Sequence, residues 1–326
     1  MSKRQKIEHA LEDENISFET RKELRQALKI RTFASDELAL PDNNSYLSFV
    51  NLDRDYVTWV VFAAPEYSLQ PVNWCFLIVG CIPYRGYFSE EKAEQFSQTM
   101  MDQDYETYIA PVPAYSTLGW FDDPLLSTML NQGETVTASY IFHELAHQQI
   151  YIAGDPGFNE AFASAVAELG VVRWLQSENN STDLKKYLQR LKIKKQVYKY
   201  THAFRERLNE IYAEDADLDK LKAQKQDAYM SYRSGITHLV SQLGGTKNYS
   251  AWLLKDLNNA KLGAISTYQE LVPAFKFLFD HCHQDFELFY EAVARMKALD
   301  NDQRRSALSK GVCHSAQAGD SASDQG

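Results

Sequence analysis

The sequence predicts an α+β fold that is predominantly helical, and three observations carry that prediction. Residues 56–64 (YVTWVVFAA) and 74–82 (WCFLIVGCI) are β-branched and aromatic, bounded by Pro65 and Pro83, and read as strands. Residues 134–153 carry a helical pattern that closes at Gly154. From Asp183 to Gln242 the chain is long, charged and helically periodic, broken only at 214–217, as an antiparallel helical hairpin would be.

The elements follow in order. Residues 6–39 read as one helix, a charged periodic stretch containing Leu24, Leu28 and Ile30, and the turn residues Pro41-Asp42-Asn43-Asn44 end it. After the two strands, Ser89 caps a helix running to about Asp102. A short strand at 108–112 precedes another that begins near Thr117 in YSTLGWF and stops at the turn Asp122-Asp123-Pro124. Beyond Gly154, Asp155 and Pro156 restart the chain as N-cap and first helical residue of a helix reaching about Leu175. Gly244-Gly245 ends the hairpin, and residues 249–297 form further helices with a break at Pro273. The tail from about Ser309 is small and polar and reads as disordered. These breaks divide the chain into an N-terminal helical segment (1–45), a core (46–180), a second helical region (181–308) and a tail (309–326).

A length of 326 residues allows a substantial buried core. The net charge of −10 argues against nucleic acid, because phosphate binding needs a basic surface. No apolar run approaches the ~18 residues of a membrane helix. The start MSKRQKIEHALEDE lacks the apolar stretch of a signal peptide. The four cysteines are too few and scattered for a cysteine metal site. Cys75 and Cys81 are two buried thiols or, if the run at 74–82 bends, a disulfide.

Chemistry concentrates in His143-Glu144-Leu145-Ala146-His147, an HExxH pattern. Positions i and i+4 share one helix face, so both imidazoles can address one ion. Glu144 lies about 100° around the helix from His143 and reaches a water rather than the ion itself. Two neutral nitrogen ligands and a carboxylate base are what a zinc hydrolase needs. The alternative is a chance match on a solvated helix. Tyr140, Ile141 and Phe142 before the motif, with Leu145 and Ala146 inside it, point to a buried helix instead. Buried histidines and a buried glutamate are costly without a compensating ion.

A catalytic zinc takes a third protein ligand and keeps one position open. Glu160 is the candidate on geometric grounds. His147 precedes Gly154 by seven residues and Glu160 follows it by six, so antiparallel helices folded there put both about 10 Å from the turn. Ala163, Ser164 and Ala167 give the second helix a small-residue face that permits close approach. Glu168 is the competitor, with a salt bridge or a supporting position as its other roles.

Four segments carry a resemblance: WCFLIVGCIPYRGYF (74–88), PAYSTLGWFDDPLL (113–126), IFHELAHQQIYIAGDPGFNEAFASAVAELGVVRWL (141–175) and LNNAKLGAISTYQELVPAF (257–275). In these the chain resembles a bacterial family of inferred zinc aminopeptidases in the gluzincin superfamily. The resemblance implies a gluzincin-like metallopeptidase with a small sheet packed over the HExxH helix, a helical C-terminal half and one zinc per chain. It implies that Glu160, in the NExxA pattern, is the third ligand and that a strand holds the substrate backbone, with 117–121 in its place. Gly119, Trp120 and Asp122 then become substrate-binding candidates, Asp122 or Asp123 reading a free amine unless Asp-Asp-Pro is merely a turn. The family also implies an oxyanion donor downstream, for which Tyr268 is the first candidate and Tyr232 and His238 follow; core packing is the other role of Tyr268. Its members carry a secretory or lipoprotein leader, which implies a periplasmic, membrane-tethered parent protein, or a cytoplasmic one if Met1 is the native start.

The function so implied is hydrolysis of short peptides from the amino end, the partner being a peptide. An endopeptidase or other amide hydrolase on the same site is the second reading, and a non-catalytic zinc protein the third. Asn258 and Asn259 cap a helix or bind substrate, Arg85 makes a surface ion pair or meets a carboxylate, and His281 and His283 read as exposed helix-end residues.

Overall fold

Local polar side chains cut the chain into shorter elements than its hydrophobic periodicity suggests. The computed structural model describes residues 4–76, 80–114, 116–130 and 132–313, the side chains of Thr267 and Tyr268 excepted. At the start, β1 (Gln5–Lys6) leads into α1 (Ile7–Ala10), and α2 (Phe18–Asp36) follows after a break. The Asp13 carboxylate accepts from the Asn15 backbone and side chain, and Ser17 accepts from the Thr20 N–H, so capping interrupts the single helix expected over 6–39.

β2 (Ser48–Val50) and β3 (Thr58–Pro65) come next. The run at 74–82 is two strands: β4 (Trp74–Phe76) and β5 (Gly80–Ile82) pair antiparallel with Cys75 opposite Cys81, and a disulfide joins them. Both cysteines are exposed, so the buried-thiol alternative falls. β6 (Arg85–Tyr87), α3 (Glu90–Met101) and β7 (Tyr105–Val112) follow, α3 capped by Ser89 as expected.

The strand expected from Thr117 does not form. Leu118 and Gly119 both adopt positive φ (56° and 83°), which no strand accommodates, and the Asp123 carboxylate accepts from the Thr117 N–H at 2.9 Å to hold a turn. β8 (Leu125–Leu126) then pairs in parallel with β2.

The rest is helical: α4 (Glu134–Gln149), α5 (Pro156–Ser177), α6 (Ser181–Tyr212), α7 (Leu218–Gln242), α8 (Lys247–Leu254), α9 (Asn259–Gln269), α10 (Val272–His281), α11 (Phe286–Arg295) and α12 (Asn301–Lys310). Helix accounts for 60% of the described residues against small sheets, an α+β and predominantly helical fold. No described helix is long and apolar enough to cross a membrane. Order extends past Ser309, because α12 runs to Lys310 and Cys313 is disulfide-bonded to Cys282; residues 314–326 lie outside the description.

The sheet β6-β3-β7 is built on β3, which is antiparallel to both neighbours. Alternation along β3 serves two faces: Val60, Phe62 and Ala64 pack on Ala260 and Ala264 of α9, whereas Trp59 and Val61 pack on Ala93 of α3. Both faces are covered, which explains an uninterrupted apolar run. The largest core joins α2, α4, α5, α10 and α11, with Leu24, Ile30, Phe142, Phe162, Phe275 and Phe289 fully buried. A separate core fills the α6–α7 hairpin.

One long-range tie matters for the site. Arg304 of α12 donates to the Asp155 carboxylate at 2.5 Å, and both side chains are buried. The other Asp155 oxygen caps α5 by accepting from the Phe158 N–H.

Candidate metal centre

The apolar face of α4 determines what its other face does. Ile141, Phe142, Leu145 and Ala146 are fully buried, which turns His143, Glu144 and His147 toward a cleft of about 760 Å³. α5 returns alongside, with Ala163 and Ala167 buried. Gly170 sits so close to Phe142 that an added Cβ would meet its ring at 2.8 Å.

The link between the helices is clamped by a residue that sequence reasoning did not single out. Asn159 accepts from the Ile152 N–H at 2.9 Å and donates to the Ile152 carbonyl at 2.7 Å, from a position only 1% exposed. The neighbouring Glu160 is thereby presented to α4. Glu160 Oε2 lies 3.3 Å from His143 Nε2 and 3.7 Å from His147 Nε2, and the two imidazole nitrogens are 3.2 Å apart. These three side chains form a group that can hold a metal ion.

Electrostatics bind the cluster together. Burial opposes ionisation of Glu160, but His147 and then His143 outweigh it and hold the carboxyl well below its ordinary range. Burial likewise works against charge on His147, yet the adjacent Glu160 and the nearby Glu144 raise its pKa. Glu144 is pushed up by burial, opposed by His143 and His147 and reinforced by Glu160 and Asp123.

A second network anchors the end of α4. Buried Arg31 donates to the carbonyls of Ser45, Pro41 and Asn43, fixing the loop after α2. Asn43 then donates to the Gln148 side chain at 2.8 Å, and Gln148 donates to Asp123 at 3.3 Å. His147 therefore precedes a residue tied to two loops.

Glu168, the competing ligand, is elsewhere: it is salt-bridged to Lys194 at 2.8 Å and to Lys276. Of the substrate-binding candidates, Trp120 lines the cleft and Gly119 lies in the turn beside it, near Gln148. Asp122 is exposed, with Asn44 at 3.4 Å, and is absent from the cleft wall; Asp123 is the buried member of the pair. The side chain of Tyr268 lies outside the described residues. Tyr232 is in the α6–α7 core, bonded to Thr201 at 2.7 Å, and His238 is exposed on α7, so neither reaches the cleft.

Three other phenols do, Tyr84, Tyr140 and Tyr151. Burial raises the pKa of Tyr84 and of Tyr151, with Glu160 the next contributor. The His147 and Tyr151 rings are 6.4 Å apart. No pattern in the sequence marks Tyr84, which arrives from the loop between β5 and β6.

The remaining candidates have structural roles. Asn258 caps α9, and fully buried Asn259 donates to the carbonyls of Pro65, Glu66 and Ser68 while accepting from Tyr212 and Tyr229. Arg85 stacks over Phe96 at 4.8 Å. His281 and His283 are exposed.

Fold and site together define an α+β protein whose cleft is lined by a His143–His147–Glu160 cluster that can hold a metal ion. The chain belongs to the family described as "Putative aminopeptidase", whose model matches residues 1–308, and membership suggests a peptidase. No curated protein and no solved structure matches it.

Proposed function

We propose that the protein hydrolyses peptide bonds with one zinc ion held by His143, His147 and Glu160, as an aminopeptidase of gluzincin type acting on short peptides. The observation that carries this reading is the spacing of the three donor atoms. Ligands about 2.0–2.2 Å from a tetrahedral zinc lie roughly 3.3–3.6 Å from one another. The donors here are separated by 3.2, 3.3 and 3.7 Å. Family membership adds the peptidase class.

Zinc, when bound, supplies Lewis acidity toward a scissile carbonyl and toward a water molecule. His143 and His147 contribute neutral imidazoles, and Glu160 a carboxylate that lowers the net charge of the site. Glu144, on the same cleft wall but outside the ligand set, takes the proton from the attacking water and returns it to the leaving amine. A phenol donates to the developing oxyanion: Tyr84, Tyr140 and Tyr151 line the cleft, and the resemblance suggests Tyr268 as a further candidate. A purely structural metal needs no such base, which weighs against a binding-only role.

Metal analysis of the purified protein should find one zinc per chain; none after zinc supplementation overturns the scheme. Glu144→Gln should abolish turnover with zinc retained, and Glu160→Ala should lose the metal.

A second reading, endopeptidase activity, draws on one observation. Among the described residues of the cleft wall the only carboxylates are Glu144 and Glu160, so no further acid stands ready for a free amine. Peptides with blocked amino termini separate the two. The disulfides Cys75–Cys81 and Cys282–Cys313 favour an oxidising compartment such as the periplasm.

A further inference from the structure

We infer that this cleft, taken as the peptidase site proposed above, selects peptides with a large aromatic or aliphatic side chain beside the scissile bond, received by Trp120, Phe121 and Phe88. All three rings line the cleft that contains the metal cluster and keep much of their surface exposed: Phe88 is 60% exposed, Trp120 72% and Phe121 72%. Single exposed apolar residues are ordinary, but three large rings at one cleft mouth form the kind of patch that binds something.

The rings come from two segments, and one is held in place at a cost. Leu118, a γ-branched residue at φ 56°, adopts a backbone conformation that side chains disfavour. Thr117 fixes the same turn from both directions: its hydroxyl donates to the Phe121 carbonyl and accepts from the Phe121 N–H, each at 3.1 Å. The Asp123 carboxylate anchors the turn's base. Trp120 and Phe121 are therefore presented by a built turn.

The interior of the cleft specifies the occupant. The apolar part of the wall comprises Val60, Ile82, Val112, Pro113 and Leu118. Its described charged or metal-binding side chains are only those of His143, Glu144, His147 and Glu160, all used by the chemistry. A Lys, Arg, Asp or Glu side chain seated against this apolar part loses water and meets no described charged partner outside the metal cluster. A Phe or Leu side chain gains burial. Continuity of the rings with the metal cluster makes the substrate, rather than a separate partner, the occupant.

The test separates binding from turnover. Zinc-loaded Glu144→Gln protein is titrated with peptides that differ only in having Phe, Leu, Ala, Lys or Glu beside the scissile position, and wild-type protein is assayed on the same set. The Phe and Leu peptides should bind about ten to a hundred times more tightly than the Ala peptide, with Lys and Glu weakest. Trp120→Ala and Phe121→Ala should collapse that ratio. Met230→Ala, which removes another exposed apolar side chain on α7, should leave it intact. Equal affinities across the set overturn the inference, as does a preference that survives both ring deletions. So does a result in which the deletions alter only self-association or vesicle binding. If the preference in binding is present while wild-type protein cleaves none of the peptides, the selectivity stands and the peptidase reading falls.

Discussion

Replacing Asn159 with Ala tests whether the link between the ligand helices sets the metal site. The side chain makes two hydrogen bonds, to the N–H and the carbonyl of Ile152, from a site that is 1% exposed. Each such bond contributes about 1 kcal/mol net, and each buried partner left unsatisfied costs about 1–3 kcal/mol. Ile152 is itself half-buried, so water can reach part of what is vacated. Together these give a loss of about 2–4 kcal/mol in the metal-free protein. Loss of positioning should also loosen Glu160 from the histidines, lowering zinc affinity about 10- to 100-fold. Thermal unfolding of the apo form and zinc competition against a chelator measure the two effects separately. An Ala variant whose apo Tm and zinc affinity both match wild type would refute the clamp. Asn159→Asp keeps the acceptor for the Ile152 N–H and loses the donor, so it should fall between the two.

Other consequences can be checked alongside. Removing the phenol proposed as oxyanion donor should lower kcat by about 10²–10³ with zinc still bound, so Tyr84→Phe, Tyr140→Phe and Tyr151→Phe kinetics should single one of them out; three unimpaired variants would move the role to another residue. Glu168 is buried, but Lys194 and Lys276 outweigh burial and depress its pKa below the ordinary 4.5. Its stabilising contribution is therefore complete above about pH 4.5 and is lost as pH falls through the folded value. Urea unfolding of Glu168→Gln should show about 1–3 kcal/mol of destabilisation at neutral pH, shrinking toward zero in acid; a gap that widens in acid contradicts the pairing. Gly80→Ala places a Cβ 2.7 Å from the Gly154 backbone at a residue with φ +77°. It should displace the disulfide-closed hairpin from the helix junction, seen as faster amide exchange at 80–82 and around Gly154.

Local spacing in the sequence made the site readable where the chain itself does the spacing. His143 and His147 share a helix face by periodicity alone, and Glu160 follows from folding two helices at Gly154. The helical hairpin was equally visible, because its charged periodicity breaks once. What stayed hidden depends on tertiary partners. The apolar run at 74–82 hides a reversal, since nothing polar marks where β4 ends and β5 begins. The segment 117–121 is strand-like in composition, but Asp123 draws Thr117 into a turn that puts Leu118 and Gly119 at positive φ. Tyr84 and the Arg31–Asn43–Gln148 chain of contacts meet the cleft or α4 only through groups distant in sequence, and the Asn159 clamp on Ile152, though local, is not announced by residue type.

The pairing of Arg304 with Asp155 also has a consequence for how the protein comes to exist. These residues are 149 positions apart, so the joint between the two ligand helices receives its counter-charge only after nearly all of the described chain has emerged from the ribosome. The C-terminal helix α12 is in this way tied through one buried ion pair to the joint that carries the two ligand helices.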